Sequence, residues 1–393
     1  MIGIVTYEDM AKCLGWPQKE IGFADIIALR KDPSGWASYP CAKAEWGQRP
    51  LLAFTDPTTS STGRSLHLSL YAIAADKAPE DLTVQDINDP AVVSYVKEFQ
   101  GLIDHYLIGT TVLNTKFYQG PRYGHFFIMP EDNLIHPYEG TEKSYMNGIK
   151  TTAPPIEERM VMIYPKEGSM PRNNCACIVQ AYWVSEEQVE ASNQWIDFIR
   201  EDEQQRAFMA AGFRPGTDLD LNYVGSKITS EFGLNPDEPR VVLNPSLTLP
   251  EVAAEIDKNW EQVKRPGIVT FVVDTSGSMA GGKLLEAKDG LIRALDAMAG
   301  NNQVGFISFD DGVNTRIPVG PLKVNRFVIA DAVQKLKVGG STALYDAIKV
   351  GIEMTDLAGG GPDAIRALVV LTDGQATAGA TGIRRPHNND FPP

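Results

Sequence analysis

Apolar runs alternate with polar loops along this chain, and the pattern predicts an α/β protein. The clearest run covers residues 268–273 and is followed at once by Asp274, Ser276 and Ser278. A short segment rich in Val, Ile and Phe is typical of a strand that is buried on both faces of a parallel sheet. We therefore expect the three oxygen-bearing side chains in the loop at the carboxyl end of this strand, where open α/β sheets bind their ligands.

The same alternation of strands and helices continues to the C-terminus and indicates βαβ units. The strands are predicted at residues 303–309, at 314–320 as a short antiparallel edge strand, and within 364–375. Amphipathic helices are predicted at residues 284–298, 325–336 and 342–357.

The N-terminal part of the chain also mixes apolar strands with amphipathic helices. Strands are predicted at residues 2–7, 51–56, 123–129, 158–164 and 174–184. Helices are predicted at residues 10–15 with Asp9 as the cap, at 23–32, 64–75 and 86–101, and at 185–211 with a capping box formed by Ser185 and Gln188. Residues 216–265 are polar and marked by prolines, which predicts a linker with a helix at 251–263.

A hydroxyl-rich loop separates the strand at 51–56 from the helix at 64–75. It reads DPTTSSTG, so five Ser and Thr side chains lie before the helix. Helix N-termini carry free N–H groups and a partial positive charge, which together with these hydroxyls could hold an oxyanion or a carboxylate. The local pattern fits a well-capped helix after a polar turn equally well.

The segment DTSGSM at residues 274–279 resembles the D-x-S-x-S signature of the von Willebrand factor A domain. That family also uses a threonine and a second aspartate from later loops, and Thr342 and Asp373 follow in the expected order. The resemblance implies a Rossmann-like, doubly wound domain that binds Mg²⁺ or Mn²⁺ through the hydroxyls of Ser276, Ser278 and Thr342. It further implies that Asp274 and Asp373 act directly or through water, and that an acidic side chain of a protein partner completes the shell. Oxygen donors suit such hard cations and do not suit zinc.

Several phrases between residues 1 and 225 resemble the extracellular solute-binding proteins of bacterial ABC transporters. Among them are TDPTTSSTG, MVMIYPKEG and the helix that ends in GFRPG. The resemblance implies a two-lobed α/β clamp of the type 2 periplasmic binding proteins. It places the following residues at the cleft that binds a small solute or oxyanion: Thr55, Asp56, Ser60, Ser61 and Gly63. An acidic residue at Glu131 would start a helix near the cleft, whereas a simple helix cap by Glu131 and Asp132 explains the pattern as well.

The two resemblances predict three segments. These are a solute-binding-like domain at 1–235 with most of its first lobe missing, a linker at 236–265, and an A domain at 266–393 without its last strands. Both ends look truncated: no secretory signal precedes the first domain, and the tail at 380–393 has neither a strand nor a helix pattern. We therefore expect the chain to be an internal piece of a longer exported protein, which places it in the periplasm or at the cell surface, with lipid anchoring possible in the full-length protein.

The composition and charge of the chain argue against some classes of binding partner. The net charge of −14 argues against nucleic acid and anionic membranes, which require basic surface. No apolar run approaches the length of a transmembrane helix. Four cysteines permit three pairings and the sequence selects none. Cys175 and Cys177 alternate along the predicted strand at 174–184 without a second Cys or His pair nearby, so we expect buried free thiols rather than a metal site.

The functional hypothesis is a non-enzymatic, extracytoplasmic binding and adhesion protein that recognises a protein partner through a divalent metal in the A domain, with the solute-binding-like module as a second recognition surface. The alternative is a periplasmic solute receptor of an ABC transporter, with the A domain as an interaction anchor. A metal-dependent hydrolase is a third hypothesis, for which Asp310 and Asp311 are the only nearby candidates for a general base. A fourth, a cytoplasmic subunit that works with a chelatase-type motor ATPase, is disfavoured by the solute-binding resemblance.

Overall fold

Buried apolar strands form the centre of each part of the chain. The structure is a computed structural model that describes residues 1–141, 143–146, 149–298, 300–359 and 364–379. The chain divides into two units between Lys258 and Asn259, and each unit is described by itself. The predicted tail at 380–393 lies outside the described residues. Within the described part, no helix combines the length and the apolar character that crossing a membrane requires.

A mixed five-stranded sheet lies at the centre of the first unit. Its strands are β1 (Ile2–Tyr7), β2 (Leu52–Thr55), β3 (His105–Leu107), β4 (Phe126–Pro130) and β7 (Met160–Ile163), while β5 (Lys143–Met146) and β6 (Ile149–Thr152) form a separate antiparallel pair. The order is β3-β2-β4-β1-β7, with β2 parallel to both neighbours and β1 antiparallel to both. Strands β1, β2, β4 and β7 are buried along their whole length, as their apolar sequences predict.

The helices of this unit follow the predicted pattern with three corrections. They are α1 (Glu8–Cys13), α2 (Phe23–Lys31), α3 (Ser61–Ala75), α4 (Val84–Ile87), α5 (Pro90–Leu102), α6 (Thr110–Asn114), α7 (Asp132–Glu139), α8 (Glu186–Ile199) and α9 (Asp202–Ala210); α10 (Pro250–Val263) spans the division between the units. Asp9 is not a cap, because α1 already begins at Glu8. The helix predicted at 86–101 is split, since Asp89 caps a new helix that Pro90 begins.

The helix predicted at 185–211 is also two helices. The capping box of Ser185 and Gln188 is confirmed, but α8 ends at Ile199. Glu201 has an extended backbone before α9. The side-chain amide of Gln205 donates to the carbonyl of Ile199 at 2.6 Å, which satisfies an orphan acceptor at the end of α8. Apolar periodicity continues through this break, so the sequence pattern conceals it.

The predicted burial of Cys175 and Cys177 and the strand predicted at 174–184 are wrong. Cys13 and Cys41 form a disulfide, and Cys175 and Cys177 are free but exposed rather than buried. Residues 171–181, all described, form neither a strand nor a helix. An alternating apolar pattern becomes a strand only where a neighbouring backbone accepts its hydrogen bonds, and the described structure places no strand beside this segment.

Glu131 is part of a buried ion pair rather than a helix cap. Its side chain is 2% exposed, and its Oε1 accepts hydrogen bonds from Arg214 Nη2 at 2.7 Å and from the hydroxyl of Tyr164 at 2.6 Å. Burial raises the pKa of the Glu131 carboxyl, but the amino group of Met1 and the Arg214 guanidinium outweigh burial and hold this pKa below its usual range. The side chain makes no capping hydrogen bond to α7.

The second unit is a four-stranded sheet covered on both faces. Its elements are β8 (Gly267–Asp274), α11 (Lys283–Ala297), β9 (Gln303–Phe309), β10 (Val313–Pro321), α12 (Leu322–Lys335), α13 (Leu344–Asp356) and β11 (Ile365–Leu371). The order is β10-β9-β8-β11, with β8 parallel to β9 and β11. Strand β10 is the predicted antiparallel edge strand, and its register with β9 shifts twice.

Alternating side chains of β8 explain the two covered faces. Phe271 and Val273 pack with apolar residues of α11 and α12 on one face, and Val272 packs with residues of α13 on the other. A strand with apolar side chains at consecutive positions needs cover on both sides. The predicted doubly wound arrangement is therefore present, and it places the loop after β8 at the carboxyl edge of the parallel strands.

Candidate metal centre

The carboxylate of Asp274 is held in place at the end of β8. Asp274 is fully buried, and its Oδ1 accepts the backbone N–H of Ser276 at 2.7 Å. Its Oδ2 accepts the hydroxyl of Thr372 at 2.6 Å. Burial of a charged carboxylate is costly unless hydrogen bonds and an opposite charge compensate it, and both of these donors to Asp274 are neutral.

The two serines of the motif lie next to one another beside Asp274. Ser276 Oγ and Ser278 Oγ are 3.2 Å apart, and Ser278 Oγ donates to Asp373 Oδ1 at 2.7 Å. The short 3₁₀ turn Gly277–Met279 holds this part of the loop. The loops after β8 and β11 are therefore joined through side chains that the sequence predicts as metal ligands.

The loop that carries Thr342 is fastened to the loop after β8 by its backbone. The N–H of Gly277 donates to the carbonyl of Gly340 at 3.0 Å, and the N–H of Gly339 donates to the carbonyl of Thr275 at 2.8 Å. Thr342 is 4% exposed, and its N–H donates to the hydroxyl of Thr377 at 3.0 Å. Five residues predicted from three separate loops, Asp274, Ser276, Ser278, Thr342 and Asp373, thus lie on loops that contact one another.

Asp310 and Asp311 support the Thr342 loop. Asp311 Oδ1 accepts the N–H of Ser341 at 2.8 Å, and the carbonyl of Asp310 accepts the N–H of Ala343 at 2.7 Å. Gly340 has a φ of +72°, and a Cβ there would lie 2.9 Å from the Asp311 carboxylate. This aspartate pair, which the sequence offered as a general base or, more simply, as a surface turn, therefore positions a loop.

Lys283 is a part of the site that sequence reasoning missed. Its ammonium forms an ion pair with Asp373 Oδ2 and donates to the carbonyl of Ser278 at 3.2 Å. The hydrogen bonds from Lys283 and Ser278 hold the pKa of the Asp373 carboxyl below its usual range. The only signal in the sequence is a lysine five positions after Ser278, which by itself is unremarkable on a helix.

The donor set fits a hard divalent cation. It consists of two carboxylates and hydroxyl oxygens, which suit Mg²⁺ or Mn²⁺. Among the described residues, no group of three or more His, Cys, Asp and Glu side chains is placed to hold a metal ion. The ammonium of Lys283 lies against the Asp373 carboxylate and the backbone carbonyl of Ser278, and so places a positive charge at this site. Asp274 and Asp373, with the hydroxyls of Ser276, Ser278 and Thr342, are the residues that would hold the metal.

The hydroxyl-rich loop of the first unit is assembled as a capped helix start. Asp56 Oδ1 accepts the N–H of Thr58 at 2.7 Å, and the hydroxyl of Ser60 accepts the N–H of Gly63 at 3.4 Å. A Cβ on Gly63 would lie 2.4 Å from the carbonyl of Thr55, so this close approach requires glycine. Ser61 begins α3. The geometry brings these five residues together, and their role in solute binding stays a prediction.

Part of the second unit matches a known protein family. Residues 269–375 match the family model of the von Willebrand factor type A domain. The human inter-alpha-trypsin inhibitor heavy chain H4 is 30% identical over 133 residues, which are 32% of this chain and 14% of that protein. The human heavy chain H3 is 34% identical over 120 residues, which are 29% of this chain and 14% of that protein. The chain therefore spans about one seventh of the length of these relatives.

A solved structure is similar over the same share of the chain. The vWF domain of the type V pili tip protein Mfa5 from Porphyromonas gingivalis has 16% sequence identity and a TM-score of 0.26, and the match covers 28% of this chain and 39% of that one. The sheet order, the loops at its carboxyl edge and the match to the family model agree with one another. Residues 269–375 form a von Willebrand factor A domain.

Proposed function

We propose that this protein is a non-enzymatic binding protein that recognises an acidic protein partner through a divalent metal held by its A domain. The observation that carries the proposal is the contact between three loops, each with oxygen-bearing side chains, at the carboxyl edge of one parallel sheet. Asp274, Ser276 and Ser278 come from the first loop, Thr342 from the second and Asp373 from the third. A bound Mg²⁺ or Mn²⁺ would supply a Lewis acid whose open position accepts a carboxylate from the partner.

The roles of the neighbouring carboxylates support binding rather than catalysis. Asp311 Oδ1 accepts the N–H of Ser341. The side chain of Asp310 accepts the N–H of Asp311, while its backbone carbonyl accepts the N–H of Ala343. A general base must reach the proton that it abstracts, and both of these side chains already accept backbone N–H groups. The names of the two human relatives, both heavy chains of an inhibitor, fit a binding role as well.

The disulfide supports an extracytoplasmic location. Cys13 and Cys41 are bonded, and disulfides persist in oxidising compartments and are rare in the cytosol. We place the protein in the periplasm or at the cell surface for this reason. The solute-binding resemblance of residues 1–225 leads to the same location.

Water proton relaxation in the presence of Mn²⁺ tests the proposed function. Bound Mn²⁺ with an open position keeps exchangeable water, so adding the protein should enhance the relaxation rate of the solvent. A short peptide that contains aspartate should then lower this enhancement by displacing the water, whereas the same peptide with asparagine should not. Enhancement that both peptides leave unchanged would contradict recognition of an acidic partner, and no enhancement at all would contradict the metal site.

A second candidate function is a receptor for a small solute or oxyanion at the hydroxyl-rich loop, with the A domain as an interaction anchor. The observation that favours it is the hydroxyl of Thr55, which is fully buried and has no hydrogen-bond partner. A buried polar group without a partner is costly and rare. It lies on the last residue of β2, directly before the loop that leads into α3, whose first-turn amides attract anions.

Calorimetric titration with inorganic phosphate and with acetate tests this second candidate. We expect one of these anions to bind the wild type and to bind Thr55→Val at least roughly tenfold more weakly, because the variant lacks the hydroxyl. Thr6→Val is the matched control, since Thr6 in β1 is also fully buried with an unpartnered hydroxyl. Equal affinity of Thr55→Val and the wild type would remove Thr55 from the site.

A further inference from the structure

We propose that Lys283 is a built-in competitor of the divalent metal, whose ammonium pairs with Asp373 when no metal is bound and lowers the affinity for the metal. This inference rests on the proposed function, because it concerns the same oxygen donors. It means that this one residue sets the affinity of the site for its metal. Neither the motif nor the match to the family model names this residue.

The contacts of the ammonium define the competition. It pairs with Asp373 Oδ2 and donates to the carbonyl of Ser278 at 3.2 Å, and the hydroxyl of Ser278 donates to Asp373 Oδ1 at 2.7 Å. Asp373 is thus engaged by a cation on one oxygen and by a predicted ligand on the other. A metal ion that takes Asp373 and Ser278 as ligands must displace this ammonium or lie close to a like charge, and both lower its affinity.

The place of Lys283 on its helix is unfavourable without such a partner. It is the first residue of α11, where the partial positive charge of a helix N-terminus repels a cation. The two residues before it, Gly281 and Gly282, have φ values of +76° and +106°, a turn that glycine adopts without strain. The pairing with Asp373 therefore compensates an electrostatic disadvantage that the sequence position imposes.

The exposure of the two partners allows the exchange. The Lys283 side chain is 55% exposed and the Asp373 side chain is 18% exposed. The long, flexible stem of a lysine lets its ammonium move into solvent while the carboxylate stays in the site. Metal-free protein keeps the Asp373 carboxylate close to a positive charge, so the loops after β8 and β11 stay joined before the metal arrives.

Calorimetric titration with Mg²⁺ on the full chain tests the inference through Lys283→Met, Lys283→Arg and a control. Methionine keeps much of the stem without the charge, and arginine keeps the charge. Lys323→Met is the matched control, because Lys323 is exposed near the start of α12. Pro321, two residues before it, pairs with Gln303, which lies at the opposite end of the sheet from Asp274. Lys283→Met and Lys323→Met each remove one positive charge, so the difference between their Mg²⁺ affinities reports the effect of the charge at position 283.

We expect Lys283→Met to bind Mg²⁺ roughly tenfold more tightly than the wild type, with Lys283→Arg and Lys323→Met close to the wild type. Equal or weaker binding by Lys283→Met, while the wild type binds, would overturn the inference and leave the proposed function intact. Absence of Mg²⁺ binding by every folded variant and by the wild type would overturn the proposed function and the inference with it. Lys283→Gln repeats the test with a second uncharged side chain if the methionine variant does not fold.

Discussion

Asp274→Ala is expected to lower the affinity for Mg²⁺ and Mn²⁺ at least about 100-fold, because even residues that only support metal ligands change affinity by 10- to 100-fold. Asp274 is fully buried and supplies one of the two carboxylates in the site. Its removal also frees the N–H of Ser276 and the hydroxyl of Thr372, which it orients. The variant therefore loses a charge and the geometry of the first loop together.

Isothermal titration calorimetry on the wild type and on Asp274→Ala measures this effect. Asp296→Ala is the matched control, because Asp296 is exposed and lies on α11 about 20 Å along the helix from Lys283, at 1.5 Å per residue. Circular dichroism should show that both variants are folded, and Ser278→Ala provides a second, milder change in the site. Wild-type affinity in Asp274→Ala would show that the metal binds elsewhere.

Acidification is expected to destabilise the first unit strongly through two buried histidines. Burial lowers the pKa of His67 and of His125 to about 4, below the ordinary value of 6.5. Each histidine is therefore neutral in the folded state at a pH where the unfolded chain already binds a proton. The stability present above pH 6.5 is lost as the pH falls toward 4, by about 3 kcal/mol for each histidine. About 2 kcal/mol of each loss falls between pH 6.5 and 5.

The hydrogen bonds of His125 explain why its neutral form is required. Its Nδ1 accepts the indole N–H of Trp36 at 2.9 Å and the backbone N–H of Leu51 at 3.1 Å. Protonation would turn this acceptor into a donor and break both bonds. Trp36 is fully buried and stacks on Phe126 of the central sheet, so the loss would reach the core.

Urea unfolding between pH 7 and pH 5 measures this dependence. His67→Gln and His125→Gln should each reduce the slope of the unfolding free energy against pH, although each substitution also lowers stability at pH 7. His136→Gln, at an exposed position, is the control. A slope in His125→Gln that equals the wild-type slope would contradict a neutral, buried His125.

The sequence predicts the A domain well because its signals are local. The apolar run before Asp274, the helix after Thr342 and the run before Asp373 each define an element and the loop at its end. Parallel strands then bring their carboxyl ends to one edge without further information. The ion pair of Lys283 with Asp373 escapes such reasoning, since 90 positions separate the two residues and neither has a distinctive local pattern.

The errors in the first unit have the same origin. Cys13 and Cys41 meet across 28 positions, and no local pattern selects this pairing among the alternatives. The break between α8 and α9 depends on Gln205, whose side chain bonds the carbonyl of Ile199. Residues 174–184 have the alternation of a strand, but pairing depends on a neighbour that a local pattern does not specify.

Strand β10 has a consequence for behaviour at high concentration. A long, flat edge strand offers unpaired N–H and C=O groups to a strand of another molecule and so templates aggregation. The two register shifts in β10, between Val313 and Thr315 and between Ile317 and Gly320, interrupt a regular row of such groups. Pro318 and Pro321 remove two donors as well. At high protein concentration, these features protect the molecules from forming fibres through this edge.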